Sequence, residues 1–165
     1  MSFAAAARWL GERVPIPVEL LRRPFKEELP IHLKGWLWCL GGTPLALFCL
    51  QVVTGVLLTF YYVPYPMHAY ESVEKITFSI RFGWFVRGLH RGTSHLMVVA
   101  VLLHMIRVLV TRAYRRPREL NWVVGVGLFL LTLGFAFTGY SLVYDQLSYW
   151  ATTVGTNMIG GLPGL

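Results

Sequence analysis

No Asp, Glu, Lys or Arg occurs between Gly35 and Tyr70. Within that stretch, Gly35 to about Val63 is long enough to cross the hydrocarbon core of a bilayer with some tilt. Pro64 and Pro66 then stop it. A second apolar run, from about Gly83 to Val110, is uncharged from Gly92 to Ile106, with Arg87, Arg91 and Arg107 towards its ends. A third, Leu120 to Tyr144, has no charge. Such runs have one natural solvent, lipid. There every backbone N–H and C=O must pair within the structure, which leaves helices or closed barrels. The lengths of the runs select helices. Composition agrees, with 14 % charged residues against about 25 % in soluble domains. The expected fold is an all-α integral membrane helical bundle with three spanning helices.

The remaining segments fit around those spans. Residues 1–34 are too charged to span and read as an interfacial segment on the lipid headgroups. Residues 35–165 form the membrane domain. Met67 to Phe82 reads as a surface loop with a short helix, and the tail after Asp145 as too short for another crossing. Its N-terminal Ala-rich patch is too short and too charged for a signal peptide. The net charge of +7 suits headgroup contact, and no aromatic-and-basic surface for nucleic acid is present. Lys and Arg concentrate before the first span and between the second and third, in Arg112, Arg115, Arg116 and Arg118. The tail has neither. The positive-inside rule therefore puts the N-terminus on the cytoplasmic side of what reads as a bacterial inner membrane. Cys39 and Cys49 would lie about 15 Å apart on one helix, beyond disulfide reach.

The second span carries His90 and His104, fourteen residues apart. Fourteen steps of about 100° fall about 40° short of four turns, so both imidazoles leave the same face, about 21 Å apart along the axis. Ionisable residues inside a membrane are costly and mark function. Two on one face, separated by most of the apolar thickness, suit axial ligation of two haems in series. The other reading is two histidines satisfied by neighbouring helices. His95 lies about 140° round from His90 and suits a contact with another helix. His32, at the membrane entrance of the first span, reads as a surface residue, with a place in a quinone site as the alternative, and His68 reads as a surface residue.

Glycines repeat the interval. Gly41 and Gly55 in the first span are fourteen apart, as are Gly125 and Gly139 in the third. Removing the side chain allows a flat macrocycle to approach the backbone. Small-residue helix packing is the alternative.

More specific matches accompany this spacing. Phe82-Gly83-Trp84 is followed by Arg87, His90-Arg91, His104, Arg107 and Pro117-Arg118-Glu119-Leu120. Gln51-Val52-Val53-Thr54-Gly55 and Thr59-Phe60-Tyr61-Tyr62 precede them, and Thr138-Gly139-Tyr140-Ser141-Leu142 and Asp145-Gln146 follow. Over roughly residues 30–165 this resembles the cytochrome b family of quinol-oxidising bc-type complexes, most closely its short b-six branch. The resemblance implies that His90 ligates a haem b nearer the positive, quinol-oxidising side and His104 one nearer the negative side. It implies that Arg87 and Arg107 bind propionates and that Gly41, Gly55, Gly125 and Gly139 pack against haem faces. Gly139 to Trp150 would shape the quinol-oxidation pocket. Val143 and Tyr144 depart from the family there, standing where Pro and Trp are usual. Trp38-Cys39-Leu40-Gly41-Gly42 resembles the motif in which a lone Cys carries a c-type haem by one thioether.

The resemblance further implies a fourth helix with the second pair of histidines, supplied by another polypeptide or by a continuation of this one. It would complete a four-helix di-haem bundle. The expected function is transmembrane electron transfer in a proton-motive Q cycle, as a subunit inactive alone. Quinol and quinone, an iron–sulfur protein, a c-type cytochrome and membrane lipid would be its partners, in a dimeric complex. No acid–base or nucleophilic catalytic constellation is legible. The competing expectations are a di-haem anchor of another dehydrogenase and a haem-free structural subunit.

Overall fold

The structure, a computed structural model, describes residues 9, 12, 13 and 40–161. Cys39, His32 and nearly all of the expected interfacial segment lie outside the described residues. Among the described residues the helices run in order α1 Gly42–Thr59, α2 Ala69–Phe78, α3 Gly83–Val110, α4 Glu119–Ser141 and α5 Gln146–Gly160. Helices α1, α3 and α4 are long and apolar enough to cross a membrane. The protein is an all-helical integral membrane protein in the described residues.

Each helix ends where local chemistry dictates. Pro44 sits in the first turn of α1, where a missing N–H costs nothing. The chain leaves α1 after Thr59 and cannot resume a helix before Pro64 and Pro66. Helix α2 buries Ala69, Ser72 and Ile76, spaced as one helical face, against α3. The joint between them is tight. Phe82 takes a left-handed conformation (φ 62°) to reverse the chain before α3. A Cβ at Gly83 would overlap the Ile76 carbonyl, so only glycine allows this corner. Glu119 opens α4, where its charge complements the helix dipole.

Helix α5 is a difference from the sequence expectation, which saw the tail only as too short to span. Its signal lies in a cap. The Asp145 side chain accepts a hydrogen bond from the Ser148 N–H at 2.7 Å, and the Ser148 hydroxyl donates to the Asp145 carbonyl at 3.0 Å. The last span also ends at Ser141 rather than Tyr144, because Tyr144 is itself left-handed (φ 56°) and turns the chain into α5. Thr152 then donates to the Ser141 hydroxyl at 2.8 Å, fastening α5 to the end of α4.

Two long-range contacts fix which ends lie together. Arg13 Nε donates to Glu119 Oε2 at 3.1 Å, while the same guanidinium lies over the Trp9 ring at 4.3 Å. The N-terminal segment thus meets the start of α4. At the opposite end, the Tyr62 hydroxyl donates to the Leu142 carbonyl at 2.8 Å, linking the α1–α2 connection to the α4–α5 turn. The closest packing in the bundle is between α1 and α3. Their outer faces, and nearly all of α4, present apolar side chains outward, as lipid requires.

Candidate functional site

Helix α3 carries His90 and His104 towards α1, and each meets the glycine that the fourteen-residue interval pairs with it. A Cβ at Gly55 would stand 3.3 Å from His90 Cε1; one at Gly41 would stand 3.5 Å from His104 Cε1. Because α1 and α3 run antiparallel, fourteen residues back along α1 match fourteen forward along α3. The first-span glycines therefore admit the imidazoles themselves, in addition to any flat group beside them. Gly125 and Gly139 differ: among the described residues, a Cβ at either would meet nothing within 4 Å beyond its own helix turn.

A polar cluster missed in the sequence surrounds His90. Thr54, 3 % exposed, places its Oγ1 2.8 Å from His90 Nδ1. The same hydroxyl lies 2.7 Å from the Leu50 carbonyl, one turn back on its own helix. A hydroxyl has one proton and two lone pairs. Donating that proton to Leu50, Thr54 accepts from a protonated Nδ1, which leaves the lone pair on Nε2. One turn earlier, Gln51 Nε2 donates to the His90 carbonyl at 2.7 Å and to Thr93 Oγ1 at 2.9 Å. Thr93 passes its own proton to the Leu89 carbonyl at 2.7 Å. Gln51 thereby locks the His90 turn of α3 to α1. The signal was present in the sequence: Gln51 and Thr54 are three apart, on one helix face beside Gly55.

His104 is held differently. Its Nδ1 is buried and has no hydrogen-bond partner among the described residues. Arg107 lies one turn further along α3, on the same side of the helix. Arg87, one turn before His90, donates from NH1 to Thr77 Oγ1 at 3.0 Å, so its guanidinium is held at the end of α2. Cys49 is exposed on α1 and His95 on α3. His68, at the end of the α1–α2 connection, lies 3.2 Å from Glu71 in the first turn of α2.

The donor set suits haem. No group of three or more His, Cys, Asp or Glu side chains comes together among the described residues. A haem brings four nitrogens of its own and asks one axial atom from each side. An imidazole with its Nδ1 proton anchored and its Nε2 lone pair available is such an atom. The buried, unpartnered His104 nitrogen is a further sign that this face of α3 is built for something other than side-chain packing.

Comparisons with known proteins agree with the geometry. The family model for cytochrome b/b6/petB matches residues 26–165. Cytochrome b6 of Heliobacterium modesticaldum is 46 % identical over 155 residues, covering 94 % of this chain and 73 % of that protein. Cytochrome b6 of Synechococcus sp. (strain RCC307) is 38 % identical, covering 94 % and 70 %. Among solved structures, a chain of a hyperthermophilic respiratory Complex III superposes with a TM-score of 0.79 at 31 % identity, over 93 % of this chain and 39 % of that one. By sequence and by fold, the chain belongs to the cytochrome b/b6 family.

Proposed function

We propose that the α1–α3 pair is the haem-bearing face of an electron-transfer core, with His90 and His104 each giving one axial nitrogen to a haem b. The protein is the cytochrome b subunit of a quinol-oxidising bc-type complex. Bound haem supplies one-electron chemistry; the chain's part is to place, orient and electrostatically tune it. The observation that carries this reading is the matched interval, in which two imidazoles on α3 meet two glycines on α1 at the same register.

The other residues follow from their positions. Arg87 and Arg107 stand one turn to the outer side of each histidine, where a carboxylate in low dielectric needs a cation. Gly125 and Gly139 keep the α4 backbone accessible to a flat group. Each haem takes its second protein ligand from a residue other than these two histidines. One electron of each quinol passes to an iron–sulfur protein and then to a c-type cytochrome. The other crosses from the His90 side to the His104 side and reduces a quinone. The cytoplasmic face of a bacterial inner membrane takes the N-terminal segment and the basic α3–α4 connection, which the Arg13–Glu119 contact brings together. Cys39, by its motif, carries a further c-type haem through one thioether.

An absorption spectrum of the purified complex tests the assignment. His90→Ala and His104→Ala are each expected to remove one b-type haem. Full b-type content in both variants overturns it. A haem stain on a denaturing gel tests Cys39: no stain on this polypeptide removes the covalent haem.

A further inference from the structure

The two histidine sites are alike in spacing and unlike in chemistry. At His90, Nδ1 meets a buried hydroxyl at 2.8 Å, and that hydroxyl is oriented by the Leu50 carbonyl at 2.7 Å. At His104, Nδ1 has no partner among the described residues. Register explains the difference. Thr54 immediately precedes Gly55, which faces His90; fourteen residues earlier, Leu40 immediately precedes Gly41, which faces His104. Leucine has nothing to offer a ring N–H.

We infer that Thr54 is a positioning residue that fixes the tautomer and plane of the His90 ring and makes the iron on that side harder to reduce than it would otherwise be. This rests on His90 being an axial ligand, as proposed above. An acceptor on Nδ1–H draws the proton outward and makes Nε2 a stronger donor, which favours the ferric over the ferrous state. The hydroxyl also stops the ring turning about its Cβ–Cγ bond, so one plane is selected. Gln51 supports the arrangement from below by holding the His90 and Thr93 turn against α1. The chain thus contains a built-in difference between its two sites, set by Thr54 against Leu40.

The test is a redox titration of the intact purified complex, followed at the b-haem absorption bands, with electron paramagnetic resonance of the oxidised low-spin haems. Thr54→Val keeps the shape and removes the hydroxyl; Thr54→Ser keeps the hydroxyl. Expected for Thr54→Val is an upward move of the His90-side midpoint and a changed g-anisotropy for that haem. The His104-side haem should stay unmoved, and Thr54→Ser should remain near wild type. Loss of the haem in Thr54→Val alone also supports the inference, since that variant keeps the shape of threonine and lacks the hydroxyl that Thr54→Ser retains. An unmoved midpoint and spectrum in Thr54→Val overturns it, as does Thr54→Ser behaving like Thr54→Val. A wild-type complex lacking b-type haem defeats the functional reading instead, so the two failures are distinct.

Discussion

Gly55 lies against His90 so closely that a methyl group there would come within 3.3 Å of the ring carbon Cε1. The matching approach, Gly41 to His104, is 3.5 Å, which is ordinary contact. The two sites therefore differ in tolerance as well as in hydrogen bonding.

Gly55→Ala should push the His90 ring by a few tenths of an ångström and strain its bond to Thr54. The expected destabilisation is about 1 kcal/mol, at the low end for overpacking, with an altered spectrum for one b-type haem. Gly41→Ala should disturb its histidine less, since a Cβ there meets the ring at ordinary contact distance. Replacing either by Leu should abolish incorporation of the corresponding haem, measured as haem per polypeptide in the purified complex. Equal effects of the two alanine variants would contradict the unequal distances.

At the α2–α3 corner the obstacle is backbone, which cannot swing aside. Gly83→Ala meets the Ile76 carbonyl and should cost about 3 kcal/mol, at the high end for inserting a methyl group. Thermal unfolding of the detergent-solubilised complex measures it. Gly88→Ala is the control, since among the described residues nothing beyond its own helix turn lies within 4 Å of a Cβ there; it should change little.

Arg13, 7 % exposed, reaches Glu119 from far away in sequence. Arg13→Ala, Glu119→Gln and the double variant should show coupling of about 1 kcal/mol, as contacting charged residues do. The N-terminal segment should also become more open to protease in proteoliposomes. Strictly additive effects would mean that the contact contributes nothing to holding that segment.

Asp145 caps α5 through the Ser148 N–H. Asp145→Ala should destabilise that helix by about 1 kcal/mol, while Asp145→Asn should nearly preserve it. Amide hydrogen exchange over the first turn of α5 reads the difference. Unchanged protection in Asp145→Ala would show that Thr152 and its bond to Ser141 suffice to hold the helix.

Several of these features could be read from the residues alone. The second span was expected from about Gly83 to Val110, and α3 has those bounds, because a glycine corner opens it and a basic turn closes it. The pairing of Gly41 and Gly55 with His104 and His90 was implicit in a shared period, since rotation per residue is the same in every α-helix. Helix α5 escaped notice because it is announced by an aspartate cap and not by an apolar run. The hydrogen bond from His90 to Thr54 escaped for a different reason. Periodicity gives the face on which a residue lies, but a contact across two helices also needs their relative height. That height is set by side chains such as Gln51, whose partners are thirty-nine and forty-two residues away. Likewise Arg87 was legible as a cation near His90, but its bond to Thr77 depends on how α2 folds back on α3.

The antiparallel match of α1 and α3 amounts to a measuring rod written twice. Inserting or deleting one residue in α1 between Gly42 and Thr54 would swing one glycine by about 100° while leaving the other in place, opening one site and keeping its twin. A compensating change in α3 would realign the histidines only if made at the same height. The separation of His90 from His104 along the bundle is thus guarded by two helices at once, and neither can be lengthened alone.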